Sequence, residues 1–246
     1  MRAAREERRL TSGERVPYNR DNLVTPQSKN RTASEHVSEL TTNRLSIYVR
    51  CLGQLAASGV RTVSSHAIAA QFHLNAAQIR KDLAWFGEFG VRGVGYSVDG
   101  LAAHLRKVLG LGDPIRVAVI GAGNLGQALA DYPGFPRDGF VPVALFDRAA
   151  AKVGTESRGG VPIFDIRRLP TVVRKEGIRI AMIAVPADVA QQVVNVAVAA
   201  GLRAILNFAP GTVTVPPGIK LKNVDLTVFL DGLAYYLANT ANGKTK

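Results

Sequence analysis

Six residues, Gly121-Ala122-Gly123-Asn124-Leu125-Gly126, stand directly behind the apolar run Val117–Ile120 and ahead of a helix-compatible stretch. Alone, the pattern G-x-G-x-x-G is weak. Between a buried strand and a helix, with an acid about 20 residues on, it is the fingerprint of a dinucleotide-binding β-α-β unit. The acid here is Asp147, at the end of the next apolar run, Val141–Phe146. Each glycine has its own reason. Gly121 permits the tight turn, Gly123 lets the backbone approach a pyrophosphate, and Gly126 lets helix and strand pack closely, with the phosphates over the helix start. Asn124 and Leu125 complete the loop. A carboxylate at Asp147 would accept hydrogen bonds from the adenosine ribose and repel a 2′-phosphate, favouring NAD over NADP. Arg148 beside it works the other way, since a guanidinium can accept that phosphate. The bland alternative is a glycine-rich turn in an α/β domain that binds nothing.

Further continuous apolar runs follow at Ile180–Val185 and Ala204–Phe208, with helical segments near 124–131, 166–175 and 188–200. Strands buried on both faces and alternating with helices predict a parallel sheet covered on each side, a Rossmann-like α/β domain over 111–225. Val185-Pro186 and Asn207-Phe208 end two of these strands, at the carboxyl edge where open α/β sheets bind ligands. Proline ending a strand explains Pro186 equally well. The segment Leu226 to about Asn239 reads as one more helix, with Phe229, Leu230, Leu233, Tyr236 and Leu237 apolar. It is more hydrophobic than a solvated terminal helix should be, so residues 226–246 are set apart as a helix and tail that bury themselves against something.

Ahead of the break Gly110-Leu111-Gly112-Asp113-Pro114 the pattern differs. Leu45, Tyr48, Val49, Leu52 and Leu55 form one helical face, ending before Gly59. After Thr62-Val63, Ser64 or Ser65 can cap a second helix carrying Ile68, Ala69 and Phe72. His73-Leu74-Asn75 then turns into a third, Ala76 to about Phe86, with Ile79, Leu83 and Phe86 apolar. Between Gly87 and Tyr96 glycines alternate with β-formers, a hairpin rather than a helix. A last helix spans 99–109. Helix, turn, helix and then a hairpin is the winged helix-turn-helix arrangement, assigned to residues 41–110. The third helix presents Gln78, Arg80, Lys81 and Asp82 between apolar positions. Arginine and lysine read guanine and glutamine reads adenine in a major groove, while Arg92 on the wing suits a minor groove or a phosphate. Trp85 and Phe86 are expected in the core or against the wing. Cys51 reads as a core residue, with a redox-sensing thiol as the lesser reading.

Charge favours the nucleic-acid reading. The 246 residues carry a net charge of +12, a balance suited to a polyanionic partner. Residues 41–110 hold eight basic and three acidic side chains, the densest excess in the chain. Residues 1–40 show no hydrophobic period and are expected to be a disordered arm, either inert or tracking DNA phosphates. One cysteine excludes an intrachain disulfide and a cysteine-clustered zinc site, so no metal is expected. No run of 18 apolar residues and no signal-type apolar segment occur, so a cytoplasmic protein without a membrane partner is expected. Hydride transfer to a carbonyl needs a positioned acid such as His, Lys or Tyr. All four histidines (His36, His66, His73, His104) precede the nucleotide domain, and no substrate domain follows it. An NAD-dependent oxidoreductase with a basic N-terminal adaptor is therefore the alternative rather than the first choice; a nonspecific nucleoid protein is a third.

Three blocks in order carry a family resemblance: Arg80-Lys81-Asp82-Leu83 through Arg92-Gly93-Val94-Gly95-Tyr96; Gly121–Gly126 with Ala130-Asp131-Tyr132-Pro133-Gly134-Phe135; and Leu206-Asn207-Phe208-Ala209-Pro210 followed by Asn223-Val224-Asp225-Leu226. Over about residues 43–240 the chain resembles the Rex family of bacterial redox-sensing repressors. The resemblance implies a homodimer of winged-helix and Rossmann domains with the C-terminal helix swapped onto the partner. It implies binding of a palindromic double-stranded operator when NADH is scarce, and release when NADH rises against NAD+. By position it places Tyr132 and Asp225 at the ligand-sensing interface, with Arg50 pairing Asp225 in one of two states. Asn124 stands where some relatives have arginine, and Leu226 where some place an aromatic against the nicotinamide.

Overall fold

The computed structural model describes residues 38–87, 89–91 and 93–241. Residues 1–37 of the arm expected over 1–40, Glu88, the wing residue Arg92 and the last five residues lie outside them, while Glu39 and Leu40 already belong to the first helix.

The first helix, α1 (Glu39–Ala57), buries Leu45, Tyr48, Cys51, Leu52 and Leu55, the stripe its periodicity predicts. A short strand β1 (Thr62–Val63) leads to α2 (Ser65–Phe72), whose start is fixed by Ser64 Oγ accepting from the Ala67 amide at 3.0 Å. His73 ends α2 in the left-handed conformation, φ 54°, and Asn75 Oδ1 caps α3 (Ala76–Phe86) by accepting from Ala77 and Gln78. Each cap satisfies amides that the helix itself cannot. Strands β2 (Gly90–Val91) and β3 (Gly95–Ser97) form the hairpin, and β1 joins them antiparallel in the order β1-β3-β2. Gly95 is obligatory there. Its φ is 104°, and a Cβ would lie 2.6 Å from the Val63 carbonyl oxygen. Helix α4 (Val98–Val108) closes this half, burying Val98, Leu101 and Leu105 against α1 and α3 residues.

Beyond Pro114 a six-stranded parallel sheet forms. Its strands are β4 (Ile115–Ile120), β5 (Phe140–Asp147), β6 (Ile163–Asp165), β7 (Ile180–Ile183), β8 (Ala204–Asn207) and β9 (Lys220–Asn223). The order β6-β5-β4-β7-β8-β9 reverses direction at β4. In chain order within this domain that is 3-2-1-4-5-6, the dinucleotide-binding arrangement, and the crevice above the reversal is where a ligand lies. Between strands run α5 (Asn124–Ala130), α6 (Gly134–Asp138), α7 (Leu169–Glu176) and α8 (Ala187–Ala199). One sheet face packs Ala118, Ile120, Phe146, Ala181 and Ile183 against α7 and α8. The other packs Val117, Val119, Leu145 and Met182 with Ala130 of α5.

The last helix, α9 (Leu226–Ala241), is different from all the rest. Leu226, Val228, Phe229, Leu230, Leu233, Tyr235, Tyr236 and Leu237 are each more than 60% exposed. Sixteen residues span about 24 Å, so a long apolar rod stands uncovered by the described residues. No described helix is long and apolar enough to cross a membrane.

Candidate functional site

The glycine loop behaves as its spacing requires. Gly121 has φ 104°, and a Cβ on it would collide with the Ala184 carbonyl at the end of β7; one on Gly126 would collide with the Gly121 carbonyl. Gly123 meets nothing within 4 Å, so its backbone is open to a closely approaching group. Asn124 and Leu125 are exposed at the start of α5.

Next to this loop a cavity of about 480 Å³ opens, lined by Gly121, Gly123, Asp147, Arg148, Val185 and Pro186 among others. The structure thus gathers the loop, Asp147 and the end of β7 at one carboxyl edge. Asp147 Oδ2 accepts from the Ala122 amide at 3.0 Å and Oδ1 from the Ala149 amide at 2.9 Å. Lys152 Nζ, 3.2 Å from Oδ2, adds an ion pair that the sequence reading missed. Burial pushes the carboxyl pKa up, but these donors outweigh it and hold Asp147 below the ordinary range. It is a carboxylate at neutral pH.

Asn207 departs from expectation. It is fully buried, and its amide is consumed within the fold. Nδ2 donates to Ala209 O at 3.1 Å and Asn223 Oδ1 at 3.0 Å, while Oδ1 accepts from the Ala209 amide. The side chain ties the end of β8 to β9 and offers no polar atom to a ligand. Phe208 beside it is half-buried against the α5-side core.

On α3 the exposed cations are Arg80 and Lys81. Arg80 Nη1 donates to Ser65 Oγ at 3.1 Å, bracing α3 against α2. Two side chains depart from the expected outward display. Asp82 is 4% exposed; Arg44 grips it with Nε at 2.6 Å and Nη2 at 2.8 Å, and Tyr48 Oη donates at 2.9 Å. Gln78, one turn earlier, donates Nε2 to Asp82 Oδ1 at 2.7 Å, so this amide is turned to the buried acid and not to a base edge. Trp85, expected in the core or against the wing, is 46% exposed on the same helix, whereas Phe86 packs against the core. Cys51 is buried, and burial pushes its thiol pKa up, which keeps it protonated and unreactive.

Each of the three residues expected to act in switching contacts a partner other than the other two. Arg50 Nε lies 3.5 Å from Asp138 Oδ2 at the end of α6. Tyr132 is half exposed, edge-on to Phe135 at 5.0 Å, its ring lying where a Cβ on Gly134 would sit. Asp225 Oδ1 accepts from the Thr227 amide and hydroxyl at the start of α9.

Residues 113–211 match the family described as CoA binding domain, and residues 36–84 the family described as "Putative DNA-binding protein N-terminus". The "Redox-sensing transcriptional repressor Rex" of Pelotomaculum thermopropionicum is 46% identical over 201 residues, covering 82% of this chain and 94% of the relative. The protein of the same name from Syntrophomonas wolfei is 48% identical over 202 residues, covering 82% and 96%. Among solved structures, RSP in complex with beta-NAD+ and operator DNA is 35% identical, with TM-score 0.77, covering 86% of this chain and 99% of RSP. RSP in complex with beta-NADH is likewise 35% identical, with TM-score 0.74, covering 85% and 97%.

Proposed function

Since the chain belongs to the Rex family of redox-sensing transcriptional repressors, we propose that it holds a palindromic operator when NADH is scarce and lets it go when NADH rises. It is a regulator, not an enzyme; its relatives are named repressors, and the oxidoreductase alternative falls with them. The observation that carries this reading is the pairing, in one chain, of a glycine-loop cavity closed by Asp147 with a helix that displays Arg80 and Lys81. RSP, solved with operator DNA and beta-NAD+ and again with beta-NADH, supports it.

Residues 41–110 take the DNA. Arg80 and Lys81 enter the major groove, and Arg92 reaches the minor groove or the backbone from the wing. Residues 111–225 take the dinucleotide: Gly121, Gly123, Asn124, Leu125 and Gly126 around the pyrophosphate, Asp147 on the ribose, and Val185, Pro186 and Phe208 along the edge. Residues 226–246 dimerise. An apolar rod of this length gains roughly 1.5–3 kcal/mol for each large side chain it buries, and a two-fold partner offering the same rod satisfies both. Arg50, Tyr132 and Asp225 then meet across the dimer rather than within one chain. The protein works in the cytoplasm, on the chromosome.

The test is fluorescence anisotropy on labelled DNA from upstream of the gene itself. NADH is expected to weaken binding, and NAD+ at equal concentration to preserve it. Identical behaviour with the two nucleotides would overturn the reading.

A further inference from the structure

A carboxylate offers about four lone-pair positions, and those of Asp82 on α3 are taken up by side chains alone. Oδ1 accepts from Arg44 Nη2 at 2.8 Å and from Gln78 Nε2 at 2.7 Å. Oδ2 accepts from Arg44 Nε at 2.6 Å and from Tyr48 Oη at 2.9 Å. Arg44 and Tyr48 stand on α1, so a planar two-bond fork and a phenol tie α1 to α3. Arg44 Nη2 also donates to Thr41 Oγ1 at 3.1 Å, which steadies the guanidinium on its own helix. The apolar residues Ile79 and Leu83 hold α3 to the core, but apolar burial has no direction. The fork supplies one.

Direction matters on this helix because Lys81 is the residue next to Asp82 and Arg80 the one before it, both exposed. Side chains reach about 5–6 Å from a helix axis, so rotating α3 by about 20° would carry a side-chain tip about 2 Å. A hydrogen bond to a base edge forms only within a window of about 0.5 Å. We propose that Asp82 is a positioning residue for operator recognition: through Arg44 and Tyr48 it fixes the rotation of α3, and through Gln78 it withdraws that amide from the bases. Sequence is then read by Arg80 and Lys81 in an orientation set from α1. The inference rests on the DNA reading of α3 given above. Attraction to phosphates falls off slowly with distance and tolerates such a rotation; base readout does not. The positioning therefore acts on specificity rather than on affinity for DNA in general.

Fluorescence anisotropy of the full-length chain tests this at one salt concentration, with the labelled upstream duplex and a shuffled duplex of equal length. Arg44→Lys keeps the charge and loses the fork, Tyr48→Phe loses one bond, and Gln78→Met loses the amide at similar length. Each is measured at a temperature where a thermal melt shows it folded. In Arg44→Lys the upstream duplex is expected to weaken about tenfold, the scale of one lost base contact, while the shuffled duplex binds as before. Substituting the operator base pairs one at a time should show preference flattened at the positions that Arg80→Ala and Lys81→Ala flatten singly. Tyr48→Phe repeats this more weakly and, as the milder change, carries the test should Arg44→Lys fold poorly. Gln78→Met shares the pattern and adds no position of its own. A role confined to stability would move neither the ratio of affinities nor the base profile of the folded protein. Unchanged preference in Arg44→Lys and Tyr48→Phe, equal weakening on both duplexes, or a base position lost in Gln78→Met alone would overturn the proposal and leave the DNA reading standing. A wild type that binds the two duplexes alike would remove both.

Discussion

A carboxylate as deeply placed as Asp82 loses its water on folding, and burial alone would push its pKa up. Four hydrogen bonds from Arg44, Gln78 and Tyr48 outweigh that and hold it below the ordinary value. A lowered folded-state pKa means stability that is fully present above the unfolded value, about 3.9, and is lost as pH falls through the folded one. Asp82→Asn should therefore cost about 2–3 kcal/mol at pH 7, because it leaves Arg44 without its counter-charge. It should also flatten the fall in stability below about pH 4. Denaturant unfolding of both proteins at pH 7 and pH 3 checks this; an equal loss at both pH values would contradict it. Residues of this kind show which parts of the site a sequence can display. Gly121, Gly126 and Asp147 were legible because their roles depend on fixed local spacing. The inward turn of Asp82 was not, because its partners Arg44 and Tyr48 lie 38 and 34 residues away. Asn207 was read as a ligand contact for the same reason: Asn223, which it binds, comes 16 residues later.

At the scale of elements, long periodic segments were legible and short edge pieces were not. Helices α1 to α4 follow their apolar stripes closely. Strand β6 has only three residues, too few to show a period, and β9 reads Lys-Leu-Lys-Asn without a buried residue, its polar side chains erasing the apolar signal; each sits at an edge of the sheet. Helix α6 is five residues with a proline inside, too short for a period. Helix α3 is the element whose function can be tested alone. Lys81→Ala should lower operator affinity uniformly across sequences and reduce the salt slope by about 1 if it contacts phosphate. Arg80→Ala should cost about 1–3 kcal/mol and relax preference at one base position. NADH titrations should be unchanged in both, since α3 and the glycine loop belong to different halves of the chain. The single tryptophan, Trp85, lies on α3 itself, so its emission should change on operator binding if this helix carries the contact. Normal operator binding by both variants at every salt concentration would displace the DNA contact from this helix.

At the scale of the whole molecule, side-chain contacts among the described residues join the two halves. Arg50 of α1 pairs with Asp138, Arg106 of α4 donates to the Leu111 carbonyl, and Lys222 of β9 donates to Asn43 of α1. In the proposed dimer, nucleotide domains that rotate as rigid bodies would carry their winged helices with them. Two recognition helices must stand about 34–36 Å apart to enter successive major grooves, so in the proposed dimer a modest rotation would spoil both half-sites together. Because the two ligands act on one equilibrium, their effects must be reciprocal. The measurement that tests this most directly is a pair of titrations on the full-length protein: operator affinity with and without saturating NADH, and NADH affinity with and without saturating operator. The account predicts the same factor of weakening in both directions. NADH binding that is indifferent to operator, with operator binding indifferent to NADH, would contradict it.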